Sequence, residues 1–455
     1  MSWFSKLRAR RQAAPEATAS ESAPSWAGTD ANDPIAVASQ ALAEAYAGKP
    51  MPGRIQDLLG LPHEPAKVLV LFFFGRSGSY FLQSFFDDPR HPQVLTVPAT
   101  AVQHIDTLVD QRELDDFSEG RISIGDGKSL PNSLLQRVDA ILRRFPDLCK
   151  PIAPGQPAVP FELLAKITYA IFHSCPSGSM NYSTAFKALL VARRLAAGEP
   201  IEVKRPLVYV WQAHMPTMAR KRWVFENFHD PYLLTIVRFP EKTLDSHLIH
   251  HGFETIFTPI VYLFHFLCVE HLAKSADMAG DPDSGRERVV RFEDLHHHSD
   301  FVMKAVREWV GFDPLASKPN QFSFNVRGRL VTGVRQLNRG EMEPRLLNQV
   351  DRLKVRHLLQ ENYRAWDYGR FLAGGLERAL DDYARDDLSK MPTFGAHALL
   401  AQLSGLGLDE VAAETRHLMA AVKAERERRD NGIRLTPLLY DTRNLPTEGR
   451  LEITL

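Results

Sequence analysis

KVLVLFFFGRSGSYFL, Lys67 to Leu82, is the stretch on which the fold turns. From Val68 to Phe74 every residue is apolar, the pattern of a strand buried on both faces and therefore central in its sheet. The run stops at Gly75, small residues follow, and Tyr80, Phe81 and Leu82 resume apolar character as the start of a helix. A strand, tight loop and helix in that order aim several backbone N–H groups and the helix's positive end at one spot, which suits a phosphate. Gly75 and Gly78 let the backbone come close, Ser77 and Ser79 offer hydroxyls, and Arg76 adds a permanent charge. Taken alone, a Gly/Ser-rich turn after a buried strand is equally an ordinary structural turn. Function has to come from partners elsewhere in the chain.

Similar short apolar runs recur at Pro92 to Val97, Leu207 to Trp211, Leu233 to Val237 and Arg288 to Phe292, with helical patterns between them. This alternation predicts an α/β fold, a parallel β-sheet wrapped by helices. Residues 1–50 read as a disordered Ala/Ser/Pro/Glu-rich leader and a short helix near Pro34 to Tyr46. Residues 51–370 form the main domain, with a polar, helical insertion at about 101–200 expected at the substrate edge. Residues 371–455 read as a helical C-terminal extension. Within it Leu408, Val411, Ala412, Thr415, Leu418, Met419 and Val422 share one helix face, a stripe for the core or for a homodimer contact.

With 455 residues, 44% of them apolar, the chain has ample material for a packed core. Lys plus Arg and Asp plus Glu both number 55, so net charge gives no reason to expect nucleic acid as a partner, and any anion site must be local. Cys149, Cys175 and Cys268 are far apart and show no metal-ligand spacing, which fits a reducing cytoplasm. The longest apolar run, Ile256 to Cys268, is interrupted and well short of the roughly 20 residues that span a bilayer, so no transmembrane helix is expected. The opening MSWFSKLRARR has neither the apolar centre nor the cleavage site of a secretory signal.

Two further segments carry chemistry. In LLTIVRFPEKTLDSHL a buried strand ends at Arg238, Pro240 suits a first helical turn, and Ser246 follows eight positions after the arginine. A fixed guanidinium with a hydroxyl donor suits a phosphate dianion; a surface arginine and a capping serine are the plainer alternative. In VYVWQAHMP a strand leads to His214. An imidazole, with an unperturbed pKa of about 6.5, can take a proton near neutrality, although the chain has 17 histidines and a structural role is the ordinary one. Glu293 and Asp294 read as helix-opening residues, and His296, His297 and His298 as a solvated helix entrance, since three adjacent residues cannot converge on one ion.

In this order the motifs resemble the sulfotransferases that use 3′-phosphoadenosine 5′-phosphosulfate (PAPS), whose donor loop follows the pattern [KR]SG[ST]xx[LWF] after the first strand. Arg76, Ser77, Gly78 and Ser79 match it. The resemblance covers about Lys67 to Gly369 and implies a P-loop-like sulfotransferase fold of a bacterial-type member. It assigns Arg76 and the loop to the donor's sulfate-bearing phosphate, Tyr80 to a position often held by threonine, Phe81 to the adenine, and Arg238 with Ser246 to the ribose phosphate. His214 falls where cytosolic members have a catalytic His-x-Pro, and Arg327 with Gly328 where a basic loop closes over the donor. PAPS would be the co-substrate with no metal, and the acceptor a carbohydrate, glycan or other small hydroxylated molecule. Two rivals stand beside this. A P-loop kinase-like phosphotransferase would need the GK[ST] that this loop lacks, and a non-enzymatic module would keep the fold as an interaction surface.

Overall fold

The computed structural model describes residues 33–75, 77–87, 91–98, 142, 146–152, 156–174, 181–214, 218–249, 285–312, 323–326, 329–332, 342–385 and 435–446, and positions 409, 413 and 420. Arg76, Arg327, Gly328 and all seven residues of the stripe from Leu408 to Val422 lie outside the described residues, as do the leader up to Asn32 and the run Ile256 to Cys268.

Helices α1 (Pro34–Ala45) and α2 (Ile55–Gly60) precede strand β1 (Lys67–Phe73), helix α3 (Ser79–Ser84) and the two-residue strand β2 (Val94–Leu95). There follow α4 (Phe161–Ser174), α5 (Tyr182–Ala196), β3 (Val208–His214), α6 (Met218–Asn227), β4 (Pro231–Val237), α7 (Pro240–Ile249) and β5 (Glu287–Arg291). After these come α8 (Phe292–His297), α9 (Ser299–Val310), a hairpin of β6 (Ser323–Val326) and β7 (Arg329–Thr332), and α10 (Gln349–Leu358), α11 (Gln360–Ala365) and α12 (Gly375–Arg385).

The main sheet has five parallel strands in the order β2-β3-β1-β4-β5, so the apolar run chosen from sequence is its middle strand. Strand period two divides β1 between two cores. Val68, Val70 and Phe72 join α1, α4, α5 and α6 on one face; Leu69, Leu71 and Phe73 join α3, α8 and α9 on the other. Parallel strands need such crossovers, and the helices cover both faces.

The expected insertion at 101–200 needs correcting for its second half. All fifteen residues of α5 are buried. A helix enclosed on every side belongs to the core and not to a substrate edge. Several of its polar groups find partners inside: Asn181 caps it by accepting from the Thr184 amide at 2.9 Å, Lys187 donates to the Glu64 carbonyl at 3.2 Å, and Arg194 pairs with Glu199 at 2.9 Å.

A third core lies at the carboxyl end of the sheet, where Phe74, Val237 and Phe239 pack with Tyr363, Trp366, Tyr368 and Phe371. Here α7 is tied down by ionic contacts. Buried Glu241 accepts from Arg356 Nε at 2.5 Å, Arg352 Nε at 2.8 Å and the Tyr363 hydroxyl at 2.9 Å. Asp245 accepts from the amides of Arg345 and Leu346, both at 2.7 Å.

The C-terminal extension is helical in α12, but Pro437 to Leu439 run beside β5, with Leu438 bridging parallel to Val289, before a short 3-10 turn at Thr442–Asn444. The Val289 amide donates to Pro437 and the Leu439 amide to Val289, each at 2.9 Å. Among the described residues no helix is long and apolar enough to cross a membrane.

Candidate active site

Open α/β sheets bind ligands outside the carboxyl ends of their strands, where strand order reverses. That place is occupied here by the loop after β1, flanked by β3 and β4. The residues that end or follow strands β3, β4 and β5 are His214, Arg238 and Arg291, none of them acidic.

The loop is closed by its own backbone: the Ser77 amide donates to the Phe74 carbonyl at 3.1 Å. Ser77 is 1% exposed and its hydroxyl donates to the same carbonyl at 2.7 Å, so this serine shapes the turn from beneath. Ser79 is half-buried and begins α3, and its carbonyl accepts from Gln212 Nε2 at 3.3 Å. At six residues α3 is too short for a full macrodipole, which leaves the loop amides as the main polarity offered to an anion.

Gly78 has φ +98°, in the left-handed region that favours glycine. A Cβ built there would stand 2.2 Å from Phe292, so space forbids it as well. Phe292 in turn carries the Arg238 guanidinium 4.7 Å above its ring centre, a cation–π contact worth about 0.5–1 kcal/mol. Loop and arginine are thereby joined through one aromatic ring that no sequence motif singled out. Gly78→Ala is expected to lose about 1–2 kcal/mol from the backbone alone and, by displacing Phe292 and Arg238, about tenfold in affinity for an anionic ligand, roughly 1.4 kcal/mol. Calorimetric titration with inorganic phosphate measures the second effect, and unchanged affinity would break the link between loop and arginine.

Tyr80 is half-buried at the start of α3. Phe81 is 3% exposed and lies between Phe85, Phe292 and His296, so its ring serves the interior and offers no open face to an adenine. His296, expected in a solvated helix entrance, is buried instead because its ring stacks on Phe81 at 4.1 Å and 10°. Glu293 and Asp294 are framework residues in the first turn of α8, as expected. Glu293 accepts from the Phe239 amide at 2.8 Å, and Asp294 holds Arg291 through two bonds of 2.6 and 2.9 Å.

His214 closes β3 in register with Phe73, their ring centres 5.0 Å apart. It is half-buried, and its carbonyl accepts from Arg220 of α6. The built Cβ of Gly75 stands 3.7 Å from His214 Nε2 and 2.6 Å from His247 Cε1, so two imidazoles flank this glycine. His247, passed over in the sequence, is 6% exposed, and its Nε2 donates to the Gly75 carbonyl at 2.5 Å. Only its place directly after Ser246 could have drawn attention to it. Ser246 itself is half-buried within α7.

The structure thus gathers Ser77 to Phe81, His214, Arg238 and the helix bearing Ser246 around one end of the sheet. The β6–β7 hairpin flanks positions 327–328, and β6 runs beside α3.

No protein-family model matches the chain, and no curated protein matches it. Among solved structures it is similar to the sulfotransferase domain from the curacin biosynthetic pathway, at 11% identity and a TM-score of 0.33 over 59% of this chain and 84% of that one. It is also similar to the sulfotransferase domain from the Synechococcus PCC 7002 olefin synthase, at 16% identity and a TM-score of 0.30 over 58% of this chain and 79% of that one.

Proposed function

We propose that the chain is a sulfotransferase that moves a sulfuryl group from PAPS to a hydroxyl or amine acceptor. The observation that carries this reading is the meeting at Gly75 of three elements distant in sequence: the loop after β1, His214 ending β3, and α7 with Ser246 and His247. A glycine loop, an imidazole and a cationic strand end are the parts needed to hold a phosphosulfate beside a base.

In the reaction the acceptor oxygen or nitrogen forms a bond to sulfur as the bond from sulfur to the phosphate oxygen breaks. His214 takes the acceptor's proton, and the electron pair leaves with the phosphate as adenosine 3′,5′-bisphosphate. Loop amides and Arg76 stabilise the charge that develops on that phosphate. Arg238, backed by Phe292, and Ser246 hold the ribose phosphate. A kinase-like reading has less support, because the strand ends beside the loop bear His214 and Arg238 where an acidic magnesium holder would be needed. A carbohydrate or small hydroxylated acceptor and a cytoplasmic setting complete the proposal.

Radiolabelled PAPS incubated with a panel of glycans, lipids and small alcohols tests it through label transfer; absence of transfer to every acceptor, with no donor binding, would reject it. Arg238→Ala is expected to weaken binding of adenosine 3′,5′-bisphosphate by about 10–100-fold, the range for loss of a charge-assisted contact. Arg238→Lys should recover little, since a lysine lacks the planar group that lies on Phe292. Calorimetry that finds either variant binding as the parent does would remove Arg238 from the donor site.

A further inference from the structure

We infer that His247 is a positioning residue, which sets the donor loop by holding the Gly75 carbonyl and so couples the loop to the helix bearing Ser246. This inference rests on the sulfotransferase reading and deepens it. An anion loop works only while its carbonyl oxygens are turned away and its amides donate inward, and a loop of small residues has little to enforce that arrangement. Here one carbonyl is tied down from outside.

His247 Nε2 lies 2.5 Å from the Gly75 oxygen across 172 positions of sequence. A carbonyl only accepts, so Nε2 carries the hydrogen, which fixes the tautomer of a neutral ring. Anchoring the Gly75 oxygen commits that carbonyl to α7 and withholds it from a ligand. The anchor is itself held in place by α7. His247 is buried on α7, and that helix is held by Glu241 to α10 and α11 and by Asp245 to the amides of Arg345 and Leu346. No side chain can be added at Gly75 without striking the imidazole, since a Cβ there would lie 2.6 Å from Cε1.

The geometry also assigns different tasks to the two histidines beside Gly75. His214 is half-buried at a strand end and can meet an acceptor. His247 is enclosed, and its Nε2 hydrogen is committed to the backbone, so it acts on the reaction only through the loop. It stands next to Ser246, the residue proposed for the ribose phosphate, and one helix turn thus serves both ends of the donor.

The test is the length of the side chain. In His247→Gln the amide nitrogen reaches about as far as Nε2 and can donate to the Gly75 oxygen; in His247→Asn a donor remains but falls short; in His247→Leu there is none. Calorimetric affinity for adenosine 3′,5′-bisphosphate is expected within about threefold of the parent for glutamine and at least about tenfold weaker for asparagine and leucine, with thermal midpoints of the glutamine and asparagine proteins alike. Glutamine binding as poorly as asparagine, or asparagine binding as well as the parent, overturns the role of His247. A parent protein that binds no bisphosphate overturns the donor reading and this inference together, which separates the two failures.

Discussion

Glu241→Leu is expected to destabilise the protein by about 3–5 kcal/mol, the usual penalty for removing one partner of a buried ion pair. Glu241 is fully buried and is the shared acceptor for Arg352, Arg356 and Tyr363. Without it the Arg356 guanidinium, also fully buried, keeps its charge with no carboxylate beside it. Glu241→Gln retains the volume and one acceptor oxygen and should fall between the parent and the leucine variant. Adding Arg356→Met to Glu241→Leu should recover part of the loss, since an apolar pair of similar volume replaces a broken ionic one. Chemical denaturation measures all three, and an unchanged midpoint for Glu241→Leu would show that the cluster contributes nothing. The effect extends to function, because the helix that Glu241 secures also carries Ser246 and His247.

His214→Ala should lower kcat by about 10²–10⁴-fold, the range associated with loss of a general base, while affinity for adenosine 3′,5′-bisphosphate stays near that of the parent. The separation follows from position. His214 ends β3 beside Gly75, whereas the proposed phosphate contacts come from the loop, from Arg238 on Phe292 and from α7. Added imidazole should restore part of the rate to the alanine variant and none to Arg238→Ala. A His214→Ala protein with the parent's kcat would assign the proton transfer to another group.

What the sequence revealed depended on how local the determinant was. The strand announces itself in VLVLFF, Val68 to Phe73, because burial on both faces demands apolar residues throughout, and α7 begins at Pro240 as its fixed φ dictates. The strands after it were legible in place but not in extent: β3 runs on to His214, and only Val94 and Leu95 of the run from Pro92 to Val97 pair with a neighbour. Strand order was hidden, since it is decided by which helices cover which face. The 101–200 stretch misled because α5 carries Lys187, Arg193 and Arg194, which look solvent-facing until their internal acceptors are seen. In the site, Arg238, Ser246 and His214 could be read from residue type and spacing. His247 and Phe292 could not, because each acts through a partner on another element.

The strip Pro437 to Tyr440 closes late in synthesis. It covers the β5 edge through the Val289–Leu438 bridge, and Tyr440 joins Arg291 and Asp294 across as many as 149 positions of sequence. During synthesis, at about 5–20 residues per second, β5 therefore emerges well before the strip that covers it. For that interval the nascent domain presents a strand with unpaired backbone groups, the feature that invites another chain to add on. Contacts this distant close late because they carry the largest loop entropy. The window between the emergence of β5 and that of Leu438 is when a chaperone would matter most to this protein.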